Sequence, residues 1–175
     1  MSSSIADNSV AQTVQAGDKV QGHVEGLIQY FDIESIPMME VTNWSKVELV
    51  DNGLQILGEV REAFKREFNR SQEITNIVDA LINPPTKPYF LARSVQLLVF
   101  QGGWSNLGDN CIVLIPVAMS GTIEAVIEER TSLRRTTLTF MPNTEVMISG
   151  RCTICIPEKS KVVCVLLGIG IGKGK

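Results

Sequence analysis

The sequence predicts an α+β fold: an antiparallel sheet of about five strands packed on one face by two or three helices, preceded by a flexible N-terminal arm. Three observations predict it. Leu54, Leu57, Val60, Phe64 and Phe68 recur at helical spacing with charged residues between them. Ile74, Ile77, Val78, Leu81 and Ile82 do the same behind the cap residue Ser71, until Pro84-Pro85. From Cys111 onward the texture changes to short β-rich runs separated by turn residues.

Taken in order, residues 1–19 are rich in Ser, Asn, Gln, Ala and Asp and read as the arm. Residues 20–170 form one globular domain, and 171–175 a basic tail. A first strand is expected near 20–34, where Val24, Leu27, Ile28, Tyr30, Phe31 and Ile33 are interrupted by Gly22 and Gly26. Ser45-Lys46-Val47-Glu48 has the form of a capping box, although the turn sequence Asp51-Asn52-Gly53 allows Val47–Val50 to be a short strand instead. Tyr89 to Gln101 is almost wholly apolar, and its periodicity decides for neither helix nor strand. Gly102 to Asn110 reads as a loop by composition. The late strands are expected at Cys111–Met119, Thr122–Glu128, Leu133–Phe140, Glu145–Ile156 and Lys161–Ile169.

A chain of 175 residues, 44% of them hydrophobic, can bury a sizeable core, and no run reaches the roughly 18 apolar residues of a membrane-spanning helix. The N-terminus lacks the pattern of a secretory signal, so the cytosol or nucleus is expected, with the four cysteines reduced. The net charge of −3 is unevenly spread: residues 1–51 hold eight acids against two lysines. The basic remainder supplies Arg61, Lys65, Arg66, Arg70, Arg134 and Arg135 as candidate contacts to phosphate or anionic lipid.

Few residues group in a way that carries chemistry. Cys152-Thr153-Ile154-Cys155 has the spacing of a metal knuckle, but within a strand residues three apart face opposite sides. Gly168 to Lys175 is one residue short of a phosphate loop and has no Ser or Thr after the lysine. His23 is the sole histidine, with no nucleophile motif near it. No catalytic residue, metal ligand, cofactor or small-molecule substrate is therefore expected, and the chain is read as not an enzyme. Trp104, Ser105, Asn106 and Leu107 are the candidate self-association site, because a tryptophan between glycines and Ser-Asn suits an interface anchor.

Lys87-Pro88-Tyr89-Phe90, the apolar run Leu91–Phe100 and Gly103 to Leu107 resemble the matrix proteins of rhabdoviruses, most closely those of the plant cytorhabdoviruses. The arm departs from that pattern, being neutral to acidic where the family's is basic. The resemblance implies a structural virion protein beneath the envelope, active also in host cytoplasm and at inner membrane surfaces, with the nucleus as a further expected location. It would self-associate head to tail and condense the nucleoprotein–RNA complex. It would also link that complex to an anionic membrane and the glycoprotein cytoplasmic tail during budding. A small viral coat protein with a β-sandwich and a non-catalytic ligand-binding domain are the alternative expectations.

Overall fold

The computed structural model describes residues 9–37, 43–82 and 88–172. Eight strands form one antiparallel, nearly closed sheet: β1 (Ala11–Gln15), β2 (Trp44–Lys46), β3 (Tyr89–Asn106), β4 (Cys111–Met119), β5 (Ile123–Glu129), β6 (Arg135–Phe140), β7 (Thr144–Ile148) and β8 (Cys152–Ile171). Three helices accompany them: α1 (Asp18–Leu27), α2 (Asn52–Arg70) and α3 (Gln72–Leu81). The mixed class and the antiparallel pairing are as the sequence predicts, but the sheet has eight strands instead of five and curls into a jelly-roll barrel.

The curl comes from a long two-stranded ribbon. β3 and β8 pair along nearly their whole length, and the other edge of β8 pairs first with β5 and then with β4. The backbone order β1-β7-β4-β8-β3-β2 makes one sheet, and β6-β5 with the near ends of β8 and β3 folds over it. The bend falls where Gly102 alone opposes Pro157–Ser160 of β8. A Cβ on Gly102 would stand 2.8 Å from the Glu158 Cα, so glycine is required for this close approach.

Because the sheet is covered twice, its central strands are apolar on both faces. Leu98, Phe100, Ile112, Leu114, Ile127, Phe140, Val146, Ile154 and Val162 fill the barrel interior. Their neighbours Leu97, Val99, Val113, Ile115, Met147, Val163 and Val165 face outward onto the helices. There they meet Val20, Val24, Leu57, Val60, Phe64, Ile74, Ile77 and Val78. Each large side chain fully buried in this way contributes about 1.5–3 kcal/mol, which is what holds the helices to the barrel. No helix among the described residues is long and apolar enough to cross a membrane.

Several expectations need correction. Residues 11–15, assigned to the arm, form β1 and pair with β7. The expected strand over 20–34 is α1 followed by two short 3-10 turns, with Val20, Val24 and Leu27 on its buried side. Gly22 and Gly26 are tolerated in that helix because an added Cβ would meet nothing closer than 3.6 Å. Tyr89–Gln101 is strand, and the strand continues to Asn106 through most of the expected loop. Neither reading of the next segment holds: the strand is Trp44–Lys46, residues 47–50 are irregular, and α2 starts only at Asn52, beyond the expected capping box. The expected run Glu145–Ile156 is broken by a turn at Gly150-Arg151, where Arg151 has φ 62°. Residues 1–8, the Pro84 to Lys87 turn and the last three residues of the basic tail lie outside the described residues.

Candidate functional site

The expected site residues fall in different places. Arg61 is buried: its Nε donates to the Ala92 carbonyl at 2.9 Å, and its Nη1 pairs with Glu62 at 2.6 Å. Ala92 lies where the β3–β8 ladder is interrupted between Leu91 and Val95, so the guanidinium replaces a missing strand partner. Arg134 and Arg135 are tied to Glu129 and Glu128 on the β5–β6 hairpin. Arg135 also stacks over the half-exposed Trp104 ring, 5.7 Å from its centroid. Ser105 is buried with its hydroxyl unpartnered among the described residues, Asn106 accepts from the Gly108 N–H, and Leu107 packs into the barrel core. Trp104 and Asn106 are thus the exposed members of the expected self-association site, Trp104 being the large apolar one. Lys65, Arg66 and Arg70 are exposed on α2.

Arg66 and Arg70 border a cleft of about 570 Å³ where β1, the start of α1, the end of α2 and the start of α3 meet. Its walls include Val14, Gly17, Ala63, Glu67, Ser71 and Ile74. Neither arginine has an ion partner among the described residues. Both helix starts open onto this space. The cap of α1 is Gly17, which offers no side-chain acceptor, while Ser71 caps α3 by accepting from the Ile74 N–H.

Behind Glu67 lies a second carboxyl. In the β1–β7 pairing Val14 stands opposite Glu145, so the Glu145 side chain shares Val14's face and points toward the helices. Glu145 is 0% exposed, and neither of its oxygens makes a well-formed hydrogen bond to a described residue. Its neighbour is the Glu67 carboxyl. Burial first, and then the adjacent Glu67 carboxyl, push Glu145 up from 4.5 to about 9, so it keeps its proton at neutral pH. A proton shared with Glu67 is the hydrogen bond open to it, although the two groups stand short of good geometry. Gly17 makes room for this arrangement, since a methyl group there would run into the Glu67 carboxyl. The carboxyl pair was not legible in the sequence as a site.

A second hollow of about 620 Å³ lies at one barrel mouth, but there Asp109 and Glu129 are already paired with Arg130 and Arg134.

The chain is similar in structure to prolyl hydroxylases. The viral collagen prolyl hydroxylase of Paramecium bursaria Chlorella virus-1, solved with 2OG, aligns over 97% of this chain and 99% of its own, with TM-score 0.54 and 9% identity. A Pseudomonas putida prolyl-4-hydroxylase aligns over 93% and 92%, with TM-score 0.51 and 8% identity. No protein-family model matches the chain, and no curated protein does. At these identities the likeness shows the fold alone. It overturns the expectation of a structural viral matrix protein. The expectation that the chain is not an enzyme is corrected too, since both of these solved structures are hydroxylases.

The residues present do not fit an iron centre inside the barrel. Non-haem Fe(II) oxygenase sites take two histidines and one carboxylate, and the chain has one histidine. His23 is on α1, 3.3 Å from Glu59, outside the barrel. The interior offers the thiols of Cys152 and Cys164, and burial pushes both up, against the deprotonation a ligand needs. No group of three or more metal-binding side chains occurs among the described residues.

Proposed function

We propose that the protein is an enzyme of the jelly-roll architecture that moves a proton in the cleft outside its barrel. Glu67 would be the catalytic residue, because it lines the cleft and can touch a bound molecule. Glu145 would be a positioning residue: protonated and buried, it can donate a hydrogen bond to the Glu67 carboxylate and fix its orientation. In the step, the Glu67 carboxylate takes a proton from the ligand and returns it, while Glu145 keeps its own. The guanidinium groups of Arg66 and Arg70, unpaired among the described residues, stand ready to hold the negative charge left on the ligand.

One observation carries this reading. A fully buried carboxyl with no well-formed partner among the described residues costs stability, and this one stands directly behind a cleft-lining carboxylate. The test is deuterium uptake from D2O into a panel of small carboxylic acids bearing an acidic C–H, followed by mass spectrometry. The expected result is uptake with the wild type that disappears in Glu67→Gln. In Glu145→Gln the rate should survive in part with an altered pH profile, which a merely structural role would not produce. Equal rates for wild type and Glu67→Gln would refute the assignment.

A further inference from the structure

Resting on the cleft reading above, we propose that the ligand is a small organic acid: an oxyanion on an apolar body, with the oxyanion held by Arg66 and Arg70. The two residues lie four apart on α2, so their side chains share one helix face. Both are exposed, both line the cleft, and neither is used in an ion pair among the described residues, unlike Arg61, Arg134 and Arg135. Paired guanidinium forks suit the planar or tetrahedral oxygens of carboxylate or phosphate. The first turns of α1 and α3 add backbone N–H groups and the positive ends of two ten-residue helices.

The cleft is not a general sink for anions. Lys19, Arg66 and Arg70 are balanced by Asp18, Glu67 and Glu73 on its walls, and the neutral Glu145 lies behind. A ligand that satisfies both sets puts its anion on the arginines and a transferable proton toward Glu67. Val14, Ala63 and Ile74 supply an apolar wall for the rest of it. A free inorganic ion would leave that wall wet, so the apolar body is part of the recognition.

The experiment uses the full chain with benzoate, phenyl phosphate, inorganic phosphate and the neutral isostere benzamide at constant ionic strength, read by thermal shift and calorimetry. Benzoate or phenyl phosphate should raise the melting temperature and bind at least roughly ten-fold more tightly than benzamide or inorganic phosphate. Whichever of the two binds identifies the oxyanion. Arg66→Gln with Arg70→Gln should weaken that binding roughly ten-fold or more, while the unliganded melting temperature stays the same. Equal binding of benzamide, unchanged affinity in the double variant, or no binding of either organic anion at about 10 mM would overturn the inference. Failure of the proton-transfer reading looks different: anion binding would persist with no loss of exchange in Glu67→Gln.

Discussion

Removing the charge capacity of Glu145 should change how stability depends on pH. In the folded protein this carboxyl keeps its proton up to about 9, whereas in the unfolded chain it ionises near 4.5. Between those values the unfolded state binds fewer protons than the folded state, so stability falls as pH rises. Each pH unit in that window costs about 1.4 kcal/mol, and going from about pH 5 to about pH 8 therefore costs about 4 kcal/mol. For a chain of this size that corresponds to a fall in melting temperature on the order of 10 °C. Below about pH 4.5 the group is neutral in both states and contributes no slope. Glu145→Gln is neutral everywhere, and its amide can still donate to Glu67, so the variant should keep its fold and lose most of the decline. Urea denaturation of both proteins at a series of pH values measures this directly. Parallel stability profiles for wild type and Glu145→Gln would refute the reasoning.

Three further outcomes follow from the same geometry. Arg61→Met leaves the Ala92 carbonyl without its donor at the interruption of the β3–β8 ladder and should cost about 2–3 kcal/mol by chemical denaturation, with no change in the pH slope. Gly17→Ala should cost less than about 1 kcal/mol, because Gly17 has φ −68° and the methyl meets the movable end of Glu67. By displacing that carboxyl it should nonetheless make the pH dependence of stability shallower. Equimolar Fe(II) with 2OG should leave the melting temperature unchanged within about 1 °C, since the described residues supply no donor set in the barrel for the metal; a clear rise would contradict this.

The helices of the outer layer were legible because each buries a single stripe. Leu57, Val60 and Phe64 in α2, and Ile74, Ile77, Val78 and Leu81 in α3, keep the 3.6-residue period, and Ser71 makes the cap its sequence suggests. The inner strands were harder to read for a physical reason. β3, β4 and β8 are covered on both faces, so Leu97 to Phe100 and Ile112 to Ile115 show no alternation to count. The length of β3 and β8, and with it the barrel, depends on a bend at Gly102 that composition presents as a loop. α1 was misread because Ile28, Tyr30 and Phe31, which lie beyond its end, extended an apparent strand over Val20, Val24 and Leu27.

The site was less legible than the fold. Arg66 and Arg70 stood out as basic residues, but nothing local distinguished them from Arg61, which is buried, or from Arg134 and Arg135, which are paired. Glu145 gave one signal: it shares a strand face with Met147, an acidic residue among core positions. Its neighbour Glu67 comes from a distant helix, and that proximity exists only once β7 has paired with β1 and α2 has packed over them.

The most direct test is carbon-13 NMR of the protein labelled at glutamate side-chain carboxyls, with the Glu145 resonance assigned by its disappearance in Glu145→Gln. A titration midpoint for this resonance near 9, moving when an organic acid occupies the cleft, is the expected result. A midpoint near 4.5, insensitive to ligand, would contradict the assignment of the carboxyl pair as the working part of the site.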